Sequence, residues 1–262
     1  MGQPLAECLD VNLDPVTPAQ VRGLSLEEVT ERHGTMGLYT RTLDTLDHIG
    51  FDEADDDLIQ RSLELGIQMH SRQKRTNGHY ADHLMRVTLH LLEDLDIRDP
   101  NLIAAAPLHD TFEDHPRDLA GRLTGTKPDT VRLARPIAYN ALAAYTNLEV
   151  VSIVEAVTNP PVPEGKTKLE VYTEHTRQLV KSSQKGRVLK LADFIDNAVG
   201  NHTTIGEKRQ KLDRKYLGQY AIHRSGLFLE DTLITGIARE RACTMLDEGY
   251  LRAMDRLAAD VA

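Results

Sequence analysis

The chain has 262 residues, with 31 Lys and Arg against 40 Asp and Glu, a formal charge of −9. Hydrophobic residues make up 40% and charged residues 27%, a profile that excludes a disordered chain, while the negative balance argues against a broad nucleic-acid-binding face. Its longest apolar stretches, such as Leu102 to Ala106, are a few residues long, against the roughly 20 that a membrane-spanning helix needs.

The first residues, MGQPLAECLDVNLD, are acidic and carry no basic-then-apolar leader pattern. The two cysteines, Cys8 and Cys243, have neither metal nor redox spacing, so the expectation is a protein of the reducing cytoplasm with no disulfide framework. A small anionic substrate stays open, because a bound metal and a few local cations can reverse the field inside one cleft.

Helical periodicity recurs and strand alternation is scarce, which predicts an all-α fold. The acidic run Asp52, Glu53, Asp55, Asp56, Asp57 lacks the Gly and terminal Glu of a calcium loop and reads as a helix start. From Leu58 the apolar positions Ile59, Leu63, Leu65, Ile67 and Met69 predict an amphipathic helix, followed by a polar loop from Arg72 to Gly78. A second helix begins near Tyr80 with Leu84, Val87, Leu91 and Leu92 inward. Asp99-Pro100 opens a third, running to about Asp114 with a kink or weakened turn at Pro107. Gly121 to Pro136 reads as a loop. Further helices are expected over Val150 to Val157, Lys168 to Lys181, Lys185 to Val199, Glu207 to Tyr220 and Leu227 to Ala259.

The chemistry concentrates in Leu108-His109-Asp110-Thr111-Phe112-Glu113-Asp114. On a continuous helix His109 aligns with Glu113, and Asp110 with Asp114. A His-Asp pair can offer one nitrogen and one carboxylate oxygen to a divalent ion, while the next two carboxylates act on a water. His83 can add an imidazole from the preceding helix. Asp193, in Lys190-Leu191-Ala192-Asp193-Phe194-Ile195-Asp196-Asn197, can add a carboxylate from a half-apolar helix, where an unpaired charge is costly. Two His and two Asp suit Mn²⁺, Fe²⁺ or Zn²⁺. His70 and His90 read as structural, and His79, His115, His175, His202 and His223 form no constellation.

Four stretches together resemble a known family. They are His70-Ser71-Arg72-Gln73-Lys74-Arg75-Thr76-Asn77-Gly78-His79-Tyr80-Ala81-Asp82-His83, Leu108-His109-Asp110 with Glu113-Asp114, Val154-Glu155-Ala156-Val157-Thr158, and Lys190-Leu191-Ala192-Asp193 with Asn197. In order and spacing they resemble the HD-superfamily metal-dependent phosphohydrolases, and among these the RelA/SpoT-type hydrolase domain and the small alarmone hydrolases. The resemblance implies an HD-domain helical bundle over 56–222, an N-terminal helical extension over 1–55 and a C-terminal one over 223–262 packing on the core. It implies that His83, His109, Asp110 and Asp193 bind one Mn²⁺, with Fe²⁺ or Zn²⁺ as substitutes. Glu113 and Asp114 would orient and activate the attacking water. Asn197 would hydrogen-bond near the ribose or phosphate and Arg75 would lie against the purine. Lys74, Lys208 and Arg214 are cations for the phosphates, on a loop and on the basic helix Lys208, Arg209, Lys211, Arg214, Lys215.

The implied reaction is loss of the 3′-pyrophosphate of ppGpp or pppGpp. A related HD phosphatase acting on ppApp or on the 2′-phosphate of NADPH, and a non-catalytic nucleotide-binding module, are the alternatives. A cognate toxic alarmone synthetase is a candidate partner, and an oligomer is compatible with the sequence. The chain departs from the family pattern at Leu84, where Pro is usual, at Thr76, often basic, and at Phe194 and Asp196, often Arg and His. The spacing from Gly78 to His83 is one residue shorter than usual.

Overall fold

The computed structural model describes residues 15–75, 78–200, 204 and 206–259. Cys8, Thr76, Asn77 and His202 lie outside the described residues; Cys243 is a free, half-buried thiol. The fold is all-α as expected: 76% of the described residues are helical, and strand is almost absent among them. Among the described residues no helix is long and apolar enough to cross a membrane.

The chain forms two compact units. The first contains the described residues up to Leu89 together with Arg98–Thr158, and the second contains His90–Ile97 and the described residues from Asn159 onward. Residues of the expected N-terminal extension belong to the first unit's core. There Val21, Val29 and Leu38 pack with Leu63, Ile67, Ala81, Met85 and Leu89.

In the first unit, α1 (Pro18–Val21) leads into α2 (Leu26–Ile49). Ser25 caps α2 in a reciprocal box with Glu28, so two of the helix's unpaired end donors are satisfied. Gly34, at φ 55°, interrupts α2 with a kink that a side-chain-bearing residue would resist. Next to it, buried Thr35 donates to Asp82 Oδ1 at 2.6 Å. α3 (Glu53–Met69) starts where the acidic run predicts. The Asp52 side chain accepts from the Asp55 N–H, and Glu53, Asp55 and Asp56 occupy the first turn, where carboxylates offset the helix dipole. The polar loop after α3 contains a minimal hairpin, β1 (Lys74–Arg75) paired antiparallel with β2 (Gly78–His79), which delivers the chain into α4 (Tyr80–Leu89).

The third predicted helix is not continuous. Asp99 caps α5 (Pro100–Ala105), but a 3₁₀ turn over Ala106–Leu108 follows, and α6 (Thr111–Asp114) is a single turn. Pro107 has no N–H to continue the ladder, and the helix stops two residues before it, at Ala105. α3 lies directly against this turn, and Gly66 is the reason it can. A Cβ there would sit 2.1 Å from the Pro107 carbonyl oxygen.

The loop expected over Gly121 to Pro136 is a correction. Its ends belong to α7 (Pro116–Thr124) and α8 (Val131–Tyr145), leaving only 125–130 between them. Pro136 lies inside α8 at an exposed position, where water can satisfy the carbonyl that its missing N–H leaves behind. α9 (Leu148–Val157) closes the unit, capped by Asn147 and packed on α5.

The second unit contains a wide helical turn, His90–Asp94, then α10 (Lys168–Ser182) and α11 (Gln184–Phe194). A second wide turn over Ile195–Val199 follows, then α12 (Gly206–Tyr216), α13 (Gln219–Gly226) and α14 (Gly236–Ala259). The single helix expected over Glu207 to Tyr220 is thus two. The last helix begins at Gly236 rather than Leu227, because the intervening segment is held as a loop. The Asp231 carbonyl accepts from Gln184 and from the buried guanidinium of Arg187, which also donates to the Val180 carbonyl at 2.6 Å. Buried Asp213 accepts from Arg209 and Arg256, which tie α12 to α14.

His90 has a structural role, as its sequence position suggests. Its Nδ1 lies 2.7 Å from Asp94 Oδ2, and its Nε2 lies 3.8 Å from buried Asp196. Burial opposes the charged ring, but the two carboxylates outweigh it and push the pKa up to about 9.

Two stability predictions follow from this packing. Gly66→Ala overfills the α3 contact and lowers the urea midpoint by the equivalent of about 1–3 kcal/mol, although alanine is the better helix former. For His90, the folded pKa lies above the ordinary 6.5, so its contribution is complete below that pH and disappears as pH rises through about 9. Urea unfolding should therefore show stability falling across this interval in the wild type. His90→Gln should be less stable near neutrality and lack this component of the fall; an unchanged slope would contradict the charged-ring assignment.

Candidate metal centre

The hairpin after α3 and the broken helix at Pro107 present the principal side chains of the first unit. Tyr80, His83 and His109 are buried, and Asp110 is partly exposed. His109 Nδ1 lies 2.7 Å from the Ala106 carbonyl oxygen. A carbonyl only accepts, so Nδ1 carries the proton, and in the neutral ring Nε2 holds the lone pair. That Nε2 lies 3.0 Å from Asp110 Oδ2, and His83 Nε2 lies 3.8 Å from the same oxygen. The two imidazole centroids are 5.2 Å apart. The Tyr80 hydroxyl donates to that oxygen as well. Burial, reinforced by Asp110, raises the Tyr80 pKa and keeps the phenol protonated.

This donor set fits a divalent cation. A ring lone pair facing a carboxylate oxygen at 3.0 Å is repulsive unless a second ring proton or a cation compensates it. The carbonyl that holds His109 Nδ1–H supplies the outer support found behind many metal-bound imidazoles. His83, His109 and Asp110 are the donors that this unit gathers around the Asp110 oxygen.

Glu113 and Asp114 lie on α6 and are exposed. The alignment of His109 with Glu113 on a continuous helix is corrected, because the regular helix ends before Pro107 and resumes only at Thr111. Asp114 Oδ2 accepts from Gln73 Nε2 at 3.0 Å. Arg75 places its guanidinium carbon 4.9 Å from the centre of the Tyr80 ring, and Lys74 is exposed on the hairpin. His70 stacks on Tyr80 with centroids 4.5 Å apart, and burial lowers its pKa, favouring the neutral ring.

The remaining candidates belong to the second unit. Asp193 is buried on α11, so it is not a surface carboxylate. Lys190 Nζ lies 3.1 Å from its Oδ2, and Asn197 Nδ2 donates to its Oδ1 at 2.5 Å. Phe194 and Asp196, two points of departure from the HD pattern, are both interior. Phe194 stacks on buried His223, and Asp196 faces His90. Burial, then the nearby Lys190 charge, lower the His223 pKa to about 3. Lys208 and Arg214 are exposed on α12. Arg209 on the same helix is buried against Asp213, and Lys215 lies over the Tyr172 and Tyr216 rings.

Sequence reasoning assigned no role to Tyr80, Gln73 or Lys190 beyond membership of the motifs. The Tyr80–Asp110 bond joins residues 30 apart, and no local spacing encodes it. No family model matches the chain, and no curated protein matches it.

Tyr80→Phe keeps the ring that stacks on His70 and removes only the hydroxyl on Asp110. Isothermal titration with Mn²⁺ should find affinity weakened about 10- to 100-fold, with the thermal midpoint little changed. Unaltered affinity would separate the hydroxyl from the metal-binding set.

Proposed function

We propose that this protein is a divalent-metal-dependent pyrophosphohydrolase of guanosine alarmones, converting ppGpp or pppGpp to GDP or GTP and pyrophosphate. The observation that carries the reading is the Asp110 oxygen flanked by His109 Nε2 at 3.0 Å and His83 Nε2 at 3.8 Å, both rings buried. The four sequence stretches that resemble HD phosphohydrolases, and the all-α fold, support it.

In this reading His83, His109 and Asp110, with Asp193 as fourth donor, hold one ion, Mn²⁺ by preference. When bound, that ion neutralises phosphoryl charge and lowers the pKa of a water toward ~7. Glu113 accepts the water's proton, and Asp114 orients the water. The water oxygen bonds to phosphorus as the bond from phosphorus to the nucleotide's 3′-oxygen breaks, and a proton passes to that oxygen. Tyr80 donates to Asp110 and keeps its carboxylate oriented. Arg75 and Lys74 on the hairpin meet the base and nearby phosphates. Asn197, Lys208 and Arg214 serve the ribose and the distal phosphates.

The test is a panel of ppGpp, pppGpp, ppApp and NADPH incubated with the Mn²⁺-loaded protein. Pyrophosphate should appear from the guanosine alarmones. Asp110→Ala should lose both metal and turnover. Glu113→Ala should keep the metal and lose about 10²- to 10⁴-fold in rate. Turnover of ppApp or NADPH alone would replace this reading with a related phosphatase, and a metal-loaded protein inert on all four would remove it.

A further inference from the structure

The first unit contains a second group of metal-competent side chains that the proposed reaction does not use as ligands. His70 closes α3, while Asp114 and His115 stand at the end of α6. Each can offer one donor atom, and these atoms all lie within 4.8 Å of one another. Donors about 2.1 Å from a shared ion lie ~3–4.3 Å apart, so a small rotation of the exposed Asp114 side chain closes the set.

The Gln73 amide occupies the middle of this group. Its Oε1 lies 2.6 Å from His70 Nδ1 and 3.0 Å from His115 Nε2, and its Nε2 donates to Asp114 Oδ2 at 3.0 Å. An amide oxygen only accepts, so each ring must present an N–H to it. A neutral His70 spends its only proton there, and its buried Nε2 has no hydrogen-bond partner. The amide dipole thus bridges two imidazoles and one carboxylate. Rotating it aside lets a cation take its place, and the imidazole protons are then released, as metal binding requires.

We propose that His70, Asp114 and His115 form a second divalent-cation site, of the Zn²⁺ or Mn²⁺ class, gated by the Gln73 side chain. Two imidazoles and one carboxylate leave coordination positions open to water or to a phosphate oxygen. The site uses none of the four donors assigned to the first ion. It goes beyond the alarmone reading and does not depend on it.

The experiment is metal stoichiometry on the full chain, stripped with chelator and dialysed against Mn²⁺ or Zn²⁺ alone. The variants are His115→Ala and His109→Ala, with far-ultraviolet circular dichroism verifying that each is folded. Asp114→Asn, at an exposed position, replaces His115→Ala if that chain misfolds. Two equivalents are expected in the wild type and one in each variant. One equivalent that survives His115→Ala and is lost in His109→Ala overturns the second site and keeps the first. One equivalent lost in His115→Ala but kept in His109→Ala supports the second site and removes the metal reading of the first. Two equivalents unaffected by His115→Ala, or none in the wild type, overturn the proposal.

Discussion

The candidate centre depends on a helix that cannot continue. Pro107 lacks the N–H that would extend α5, and the chain passes through a 3₁₀ turn before His109. The same turn brings the Ala106 carbonyl to 2.7 Å from His109 Nδ1, fixing which nitrogen of the neutral ring keeps its lone pair. This break is accommodated because α3 presents a glycine to it. Any side chain at position 66 would meet the Pro107 carbonyl, so helix propensity at one residue is given up for the position of an imidazole 43 residues later in the chain.

Burial then converts position into chemistry. His83 and His109 lie where solvent screening is weak, so a charge on Asp110 acts on them strongly. Partners within one unit limit the cost. The Tyr80 hydroxyl serves Asp110, while Lys190 and Asn197 serve Asp193. An ionised carboxylate oxygen can accept from more than one donor or a cation, so these partners polarise and orient the two carboxylates.

The sequence made the helical class legible, along with the acidic cap of α3 and the Asp99-Pro100 start of α5. Those features rest on local signals: periodicity and capping chemistry. The burial of Asp193 is shown by the structure, since the half-apolar helix was equally compatible with a surface carboxylate. It missed α8 because Pro136 reads as a breaker, whereas an exposed helix position lets water satisfy the freed carbonyl. It extended the last helix too far because the hold of Arg187 on the Asp231 carbonyl is a contact over 44 residues. The candidate His and Asp residues stand out by their order along the chain. The Gln73 amide between His70, His115 and Asp114 was not, since it is a product of folding.

Charge explains why cations matter to any phosphate-directed role for this molecule. The chain carries a formal charge of −9, to which Asp110, Glu113 and Asp114 contribute three carboxylates within five residues. With neutral imidazoles that segment has a formal charge of −3, and a polyphosphate approaching it is repelled. One divalent ion reduces the balance to −3 + 2 = −1, and a second reverses it to −1 + 2 = +1. The hairpin cations Lys74 and Arg75 add to the attraction, but Lys74 is exposed and screened by salt. An ion between the buried His83 and His109 rings would be screened far less, and so would have the larger influence on whether an anion is drawn in or turned away.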